Sequence, residues 1–256
     1  MKKVGIALGG GCAHGVAHIG VLQVFAENKI PVNFVSGCSA GAIVAALYAT
    51  KSDMLMLGKL CASLDISSLI DVTIPHYGFV KGQKAENLLN MLTKNKNFED
   101  LTEPKLSVIA CDMLKGSDVT LTSGNIARAC HASFAIPGIF EPIEMDDMFL
   151  IDGGVVTRIP IKQVKEMGAQ YVIAVDVGYQ GGGYSKPKNI LEILMSAFEM
   201  SDWQNVSRVY CECDTLIAPD LRDIPADNLS MATLAIKRGR EAAEKVIDKI
   251  KNDLCI

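Results

Sequence analysis

The sequence predicts an α/β fold of three layers, with helices covering both faces of a central, mostly parallel sheet. Three observations carry that prediction. Tyr171-Val-Ile-Ala-Val-Asp176 is apolar without interruption, the pattern of a strand buried on both faces. Lys3-Val-Gly-Ile-Ala-Leu8 is a second such run and empties into Gly9-Gly10-Gly11, as a strand entering a tight turn does. Strand-like and helix-like runs then alternate along the chain, which parallel pairing with crossover helices requires. At 256 residues and 49% hydrophobic content the chain can bury one large core. Without a repeat or a linker, residues 1–256 read as a single domain.

After the first glycines, Val16 to Glu27 sets Val16, Ile19, Leu22, Val24 and Phe25 at helical spacing, so a helix begins near Gly15. Pro31 to Ser36 reads as a second strand, and Ala40 to Ala49 as a helix apolar all round, hence buried. From Asp53 to Asn95 the pattern is helical but broken at Ile74-Pro75-His76-Tyr77-Gly78; a helical cap over 53–95, covering a site, is expected there. Leu106 to Cys111 reads as a strand with Val119 to Leu121 paired beside it, and Asn125 to Phe134 as a helix. Met148 to Asp152 is a strand ending in Gly153-Gly154. Gly178 to Lys188 reads as a surface loop, Ile190 to Met200 as a helix, and Ser230 to Asp253 as one long closing helix.

Composition excludes several functions. Charged residues at 21% argue against wholesale disorder, and a net charge of -4 with a pI near 5.6 gives no global attraction to nucleic acid. A nucleic-acid partner is therefore not expected. Cys12, Cys38, Cys111 and Cys130 lie in apolar or glycine-rich runs, and Val4 to Leu8 is too short for a signal-peptide core or a membrane span. Reduced thiols in a cytoplasmic protein follow. Cys211 and Cys213 lack the second pair that zinc needs, so neither metal nor cofactor is expected.

Three segments bear chemistry. Gly37-Cys38-Ser39-Ala40-Gly41 is a G-x-S-x-G between a strand and a helix, where a sharp turn lifts the hydroxyl of Ser39 clear of the sheet. Its place at a helix amino terminus favours an alkoxide or oxyanion; the plain alternative is an ordinary small-residue turn. Gly9-Gly10-Gly11-Cys12-Ala13-His14-Gly15 lets backbone N–H groups converge on an anion. A dinucleotide loop fits it only loosely, since no acid follows on the second strand, and a Walker lysine is missing. An oxyanion hole from Gly10, Gly11 and Cys12 is the stronger reading. Asp152, at the end of an apolar strand and before two glycines, sits where open α/β folds bind ligands; alone it reads equally well as a turn cap.

Taken in this order, the segments resemble the patatin-like phospholipase family, in particular its small bacterial single-domain members. Leu8 to Leu22 is similar to the family's glycine-rich segment and helix, Gly37 to Gly41 to its nucleophile elbow, Ala132 to Phe140 to a further block, and Asp152-Gly153-Gly154 to its aspartate motif. The resemblance runs from residue 4 to about 178. It implies a serine lipid-acyl hydrolase with Ser39 as nucleophile, Asp152 as its sole dyad partner and no catalytic histidine. Gly37, Gly41, Gly153 and His14 support the site. The aspartate must then have a raised pKa to act as a base near neutrality. Two positions depart from the family, which carries glycine where Cys12 stands and arginine or lysine where His14 stands. Because imidazole titrates near pH 6.5, that second departure predicts activity rising below about pH 6.5.

Rival readings remain at this stage. A Ser-His-Asp triad of α/β-hydrolase type needs Ser39, Asp112 and His131, yet His131 lies inside a helix rather than on a late loop. A non-catalytic lipid- or protein-binding module is the second rival, and an acyl-carrier acyltransferase, lacking evident histidine and arginine partners, the third. The expected partner is a lipid or other acyl ester. Met54, Leu55, Met56, Leu57, Leu60, Leu64, Leu69, Ile70, Phe79, Val80, Leu88, Leu89, Met91 and Leu92 supply core and groove surface for its chain. Lys81, Lys84, Lys186 and Lys188 offer transient contact with a membrane surface.

Overall fold

The computed structural model describes residues 2–74, 76–178 and 209–256, together with positions 193, 196, 197, 199–201, 203 and 206. Its sheet contains β1 (Val4–Leu8), β2 (Phe34–Cys38), β3 (Lys105–Asp112), β4 (Ser117–Leu121), β5 (Ile143–Met145), β6 (Met148–Asp152), β7 (Tyr171–Val175) and β8 (Thr215–Ile217). β1 is central, pairing in parallel with β2 and β7; β2 continues to β3, and β7 to β8, also in parallel. The uninterrupted apolar runs of β1 and β7 follow from burial on both faces. Val4, Ile6, Leu8, Tyr171, Ile173 and Val175 face the larger core, while Ala7, Val172 and Ala174 face a smaller one with Ile161 and Val164.

The helices are α1 (Ala17–Glu27), α2 (Ala40–Ala49), α3 (Met54–Ser63), α4 (Gln83–Leu92), α5 (Ile126–Phe134), α6 (Ile161–Glu166), α7 (Ala232–Glu244) and α8 (Ile247–Leu254). α1, α2, α5 and α7 cover the larger core, and α6 the smaller. Within 53–95, α3 packs against α1 and α7 and α4 against α5. The stretch between them is tied back by bridges from Val80 to Val72 and to Phe140.

The registers of β3 build the place where a site can form. Residues 110–112 pair antiparallel with β4 on one side and with β6 on the other, and Val108 and Ile109 pair with both β4 and β2. β2 and β6 therefore lie along the same edge of β3, one climbing and one descending. They meet end to end, Cys38 opposite Ile109 and Asp152 opposite Ala110. Two positions 114 residues apart in sequence are brought together by consecutive residues of one strand.

The elements depart from expectation in a few places. β2 begins at Phe34 and runs to Cys38, because Pro31 has no N–H for a ladder whereas Gly37 and Cys38 pair fully. A short 3-10 turn, Cys12–Val16, precedes α1. The long closing helix is two helices, broken at Lys245 and Val246, after which Ile247, Ile250 and Leu254 turn into the core. β5, α6 and β8 were not expected. Of the predicted loop Gly178 to Lys188, with Lys186 and Lys188, all but Gly178 lies outside the described residues, as does much of Ile190 to Met200.

Candidate active site

The elbow arises because β2 stops in the middle of the sheet and α2 starts at once. Ser39 takes φ 53° and ψ −123°, a region costly for a residue with a side chain, and its carbonyl accepts the N–H groups of Ala42 and Ile43 to open the helix. The turn is too tight for side chains around it. A Cβ on Gly37 would lie 2.4 Å from the Gly41 carbonyl oxygen, and one on Gly41 2.2 Å from that of Leu8.

Ser39 Oγ donates a hydrogen bond of 2.6 Å to Asp152 Oδ2, and Asp152 Oδ1 accepts the Gly154 N–H at 2.7 Å. Both side chains are buried, Ser39 7% and Asp152 3% exposed. Burial pushes the Asp152 carboxyl up to about 6, although the bonds from Ser39 and Gly154 work in the other direction. Gly153 gives the close approach this needs, since a Cβ there would lie 2.4 Å from the Ile109 carbonyl oxygen.

The glycine loop is held from both sides. His18 Nε2–H donates to the Gly9 carbonyl at 2.8 Å, and the Gly10 N–H donates to the Arg158 carbonyl at 3.1 Å, so one peptide unit is clamped at both of its polar atoms. His18 is buried, and its pKa falls to about 4 through that burial, against the opposing pull of the Gly9 carbonyl and Asp176. It is thus a neutral ring with its proton on Nε2. The clamp spends the Gly10 N–H on Arg158, which directs the search for anion donors to Gly11, Cys12 and the amides opening α2. Cys12 has φ 49°, and its thiol is pushed up to about 12 by burial first and then by Glu199, Asp152 and Asp227, so it stays protonated. Behind the loop Arg158 pairs with Asp176 at 2.9 Å, and Asp176 also accepts the Gly178 N–H and the Tyr210 hydroxyl.

His14 lies apart from this cluster's hydrogen bonds: its Nε2 donates to the Ile224 carbonyl at 2.8 Å. The triad reading also loses its geometry. His131 Nδ1–H is bonded to Glu86 Oε2 at 2.5 Å, Asp112 accepts the Leu114 N–H at 3.1 Å and faces Lys115, and the Ser39 hydroxyl is on Asp152. Among the described residues there is no group of acidic, histidine and cysteine side chains suited to a metal ion, and no helix is long and apolar enough to cross a membrane. Cys12, Cys61, Cys111, Cys130, Cys213 and Cys255 are free thiols. Sequence reasoning missed His18, Arg158 and Ser133, whose Oγ accepts the Ser39 N–H at 2.8 Å. The only signal for Ser133 was its position inside the block Ala132 to Phe140.

A buried serine on a strained strand-to-helix turn, bonded directly to an aspartate and facing a glycine loop, defines a hydrolase-type site, and comparison with known proteins gives its family. The family model for patatin-like phospholipase matches residues 6–165. A lysophospholipase NTE1 of Cryptococcus neoformans is 31% identical over 185 residues, 69% of this chain and 11% of that protein. Human patatin-like phospholipase domain-containing protein 6 is 32% identical over 188 residues, 70% of this chain and 14% of that one. An uncharacterized NTE family protein of Mycobacterium bovis is 31% identical, over 71% of this chain and 51% of its own. The chain belongs to the patatin-like phospholipase family, and it spans between about a tenth and a half of the length of these relatives. Among solved structures, VipD from Legionella pneumophila superposes with a TM-score of 0.68 at 16% identity, covering 97% of this chain and 67% of that one. The ExoU–SpcU complex of Pseudomonas aeruginosa gives 0.54 at 16% identity, covering 97% and 52%. These two share the fold.

Proposed function

We propose that this chain hydrolyses carboxylic esters of lipids, with Ser39 as nucleophile and Asp152 as general base. The observation that carries this reading is the 2.6 Å hydrogen bond from the Ser39 hydroxyl to a buried carboxylate whose pKa is raised to about 6. An aspartate so raised is a competent base near neutral pH, which an exposed one near 4 is not. Ser39 Oγ attacks the ester carbonyl, its proton passes to Asp152, and the carbonyl electrons move onto oxygen. The N–H groups of Gly11 and Cys12, with that of Ala40 at the start of α2, are the donors we assign to that oxyanion. Collapse expels the alcohol, which takes the proton from Asp152 and leaves an acyl-serine; water attacks that ester with Asp152 again as base. Gly10 serves by fixing the loop, through the bond its N–H makes to Arg158.

An apolar acyl chain suits the surface around the site. Val155 and Val156, directly after the aspartate motif, are exposed, as are Met113 and Leu114 beyond β3 and Val72, Ile74, Tyr77 and Phe79 in the segment between α3 and α4. Tyr77 stacks edge-on against Phe149 of β6, which joins these segments into one rim. An exposed rim of this kind fits contact with a lipid surface. The free thiols favour action in a reducing compartment such as the cytoplasm.

A fluorophosphonate probe and a panel of acyl esters of varied chain length and headgroup test the reading. Labelling and ester hydrolysis by the wild type, both lost in Ser39→Ala, are expected, with kcat/KM rising as pH increases through about 6. A wild-type chain inert to probe and panel alike is a binding module instead.

A further inference from the structure

We propose that Ser133 is a positioning residue that sets the separation between Ser39 and Asp152, a role that rests on the hydrolase reading above. Ser133 is fully buried in the last turn of α5, and its hydroxyl does two things at once: it donates to the Ile109 carbonyl at 2.5 Å and accepts the Ser39 N–H at 2.8 Å. Ile109 is the residue of β3 opposite the end of β2, where β2 and β6 meet. Two residues on, the Ala135 carbonyl accepts the Asp152 N–H at 2.9 Å. One turn of α5 thus grips the backbone amides of both the nucleophile and its acid, and Cys130 Sγ, donating to the Ala42 carbonyl at 3.6 Å, ties the same helix to α2.

Only a hydroxyl suits this position. It carries one donor and two acceptor sites on a single small atom, so it can bridge a carbonyl and an amide in a space that admits no water. Alanine would leave both backbone groups buried without that bridge, and a carboxylate would bring an uncompensated charge into the sheet. The Ser39 amide needs the anchor because its residue sits at φ 53°, a conformation that persists where its surroundings hold it. Released from Ser133, the elbow relaxes and Oγ leaves Asp152. A displacement of about 1 Å is enough to cost roughly 100-fold in rate.

The test is Ser133→Ala compared with wild type, using ester hydrolysis from pH 4.5 to 9, probe titration of active sites and thermal melting. We expect kcat per active site to fall roughly 100-fold with KM changed by less than about threefold. The acid limb of the pH profile should also move to higher pH, because Asp152 loses the hydroxyl that holds its pKa down. A merely structural serine lowers the melting temperature and the number of active sites but leaves that limb in place. Should Ser133→Ala fail to fold, Ser133→Cys keeps the volume with only weak hydrogen bonding and takes its place, with the same shifts at smaller size. A kcat within about threefold of wild type, or a loss with an unmoved acid limb, overturns the role. A wild type that neither labels nor hydrolyses is a different failure, that of the hydrolase reading itself.

Discussion

Two buried carboxylates flank α5, and their fates differ. Asp152 hydrogen-bonds a neutral hydroxyl and a backbone amide, and burial pushes its pKa up to about 6. Burial works to raise Glu86 as well, yet its pKa is lowered, because hydrogen bonds from His131 at 2.5 Å and Arg128 at 3.1 Å outweigh that cost. The same desolvation thus yields a base in one place and a fixed anion in the other. What decides is the partner: a neutral donor leaves the carboxylate ready to take a proton, while strong nitrogen donors hold it ionised as a tie between α4 and α5. Histidine, the usual general base, here serves the structural pair.

The largest effect that can break this contrast is expected from Asp152→Asn. Removing the base should lower kcat by about 10³-fold, while the fold gains stability at neutral pH. The free carboxyl titrates near 3.8 and the buried one near 6, so above pH 6 the folded state carries the full cost of an ionised, buried group, and below about 4 it carries none. The stability gain of the variant over wild type should therefore grow between pH 4 and 6 and persist above, reaching on the order of 2–3 kcal/mol. Urea denaturation at pH 4.5 and 8 measures it. An equal difference at both pH values contradicts a raised Asp152.

Glu86→Ala probes the other side. It strips the partner from a buried histidine ring and from Arg128, which should cost about 2–3 kcal/mol of stability. Catalysis per active site should stay within about threefold of wild type, as expected for a tie that touches no reacting atom. A fall in kcat comparable to that of Asp152→Asn, read per titrated active site, would erase the distinction between the two pairs.

The same contrast separates what the sequence made legible from what it hid. β1, β7 and the elbow were legible because apolar runs, glycines and G-x-S-x-G are local signals, each confined to a few neighbouring residues. β5 pairs with β6 through Asp146 and Asp147, at φ 48° and 61°, where no glycine marks the turn, and β8 is only three residues long. In the candidate site the side chains with chemistry, Ser39 and Asp152, announced themselves by motif. Those that hold them did not. Ser133 reaches a backbone amide 94 residues away, and His18 reaches back to a carbonyl nine residues earlier, so neither leaves a periodic trace. The orientation of the Gly10 amide, turned to Arg158, depends on exactly those hidden contacts, and glycine spacing alone could not give it.

The smallest expected effect concerns His14, which belongs to neither pair. Its imidazole standing where the family has arginine or lysine predicted activity that rises below about pH 6.5. In the structure that ring is engaged with the Ile224 carbonyl at 2.8 Å, whereas the raised carboxyl of Asp152 pulls the profile the other way, since the base is lost as it protonates below about 6. The two groups titrate close enough together that wild-type kinetics cannot assign the limb, but a substitution can. His14→Ala should keep the decline in kcat/KM below pH 6 at its wild-type position and lose about 1 kcal/mol of stability with the Ile224 bond. If instead the decline disappears or reverses in His14→Ala, the titrating group that matters is the histidine, and the carboxylate bonded to Ser39 is not the base whose ionisation the rate follows.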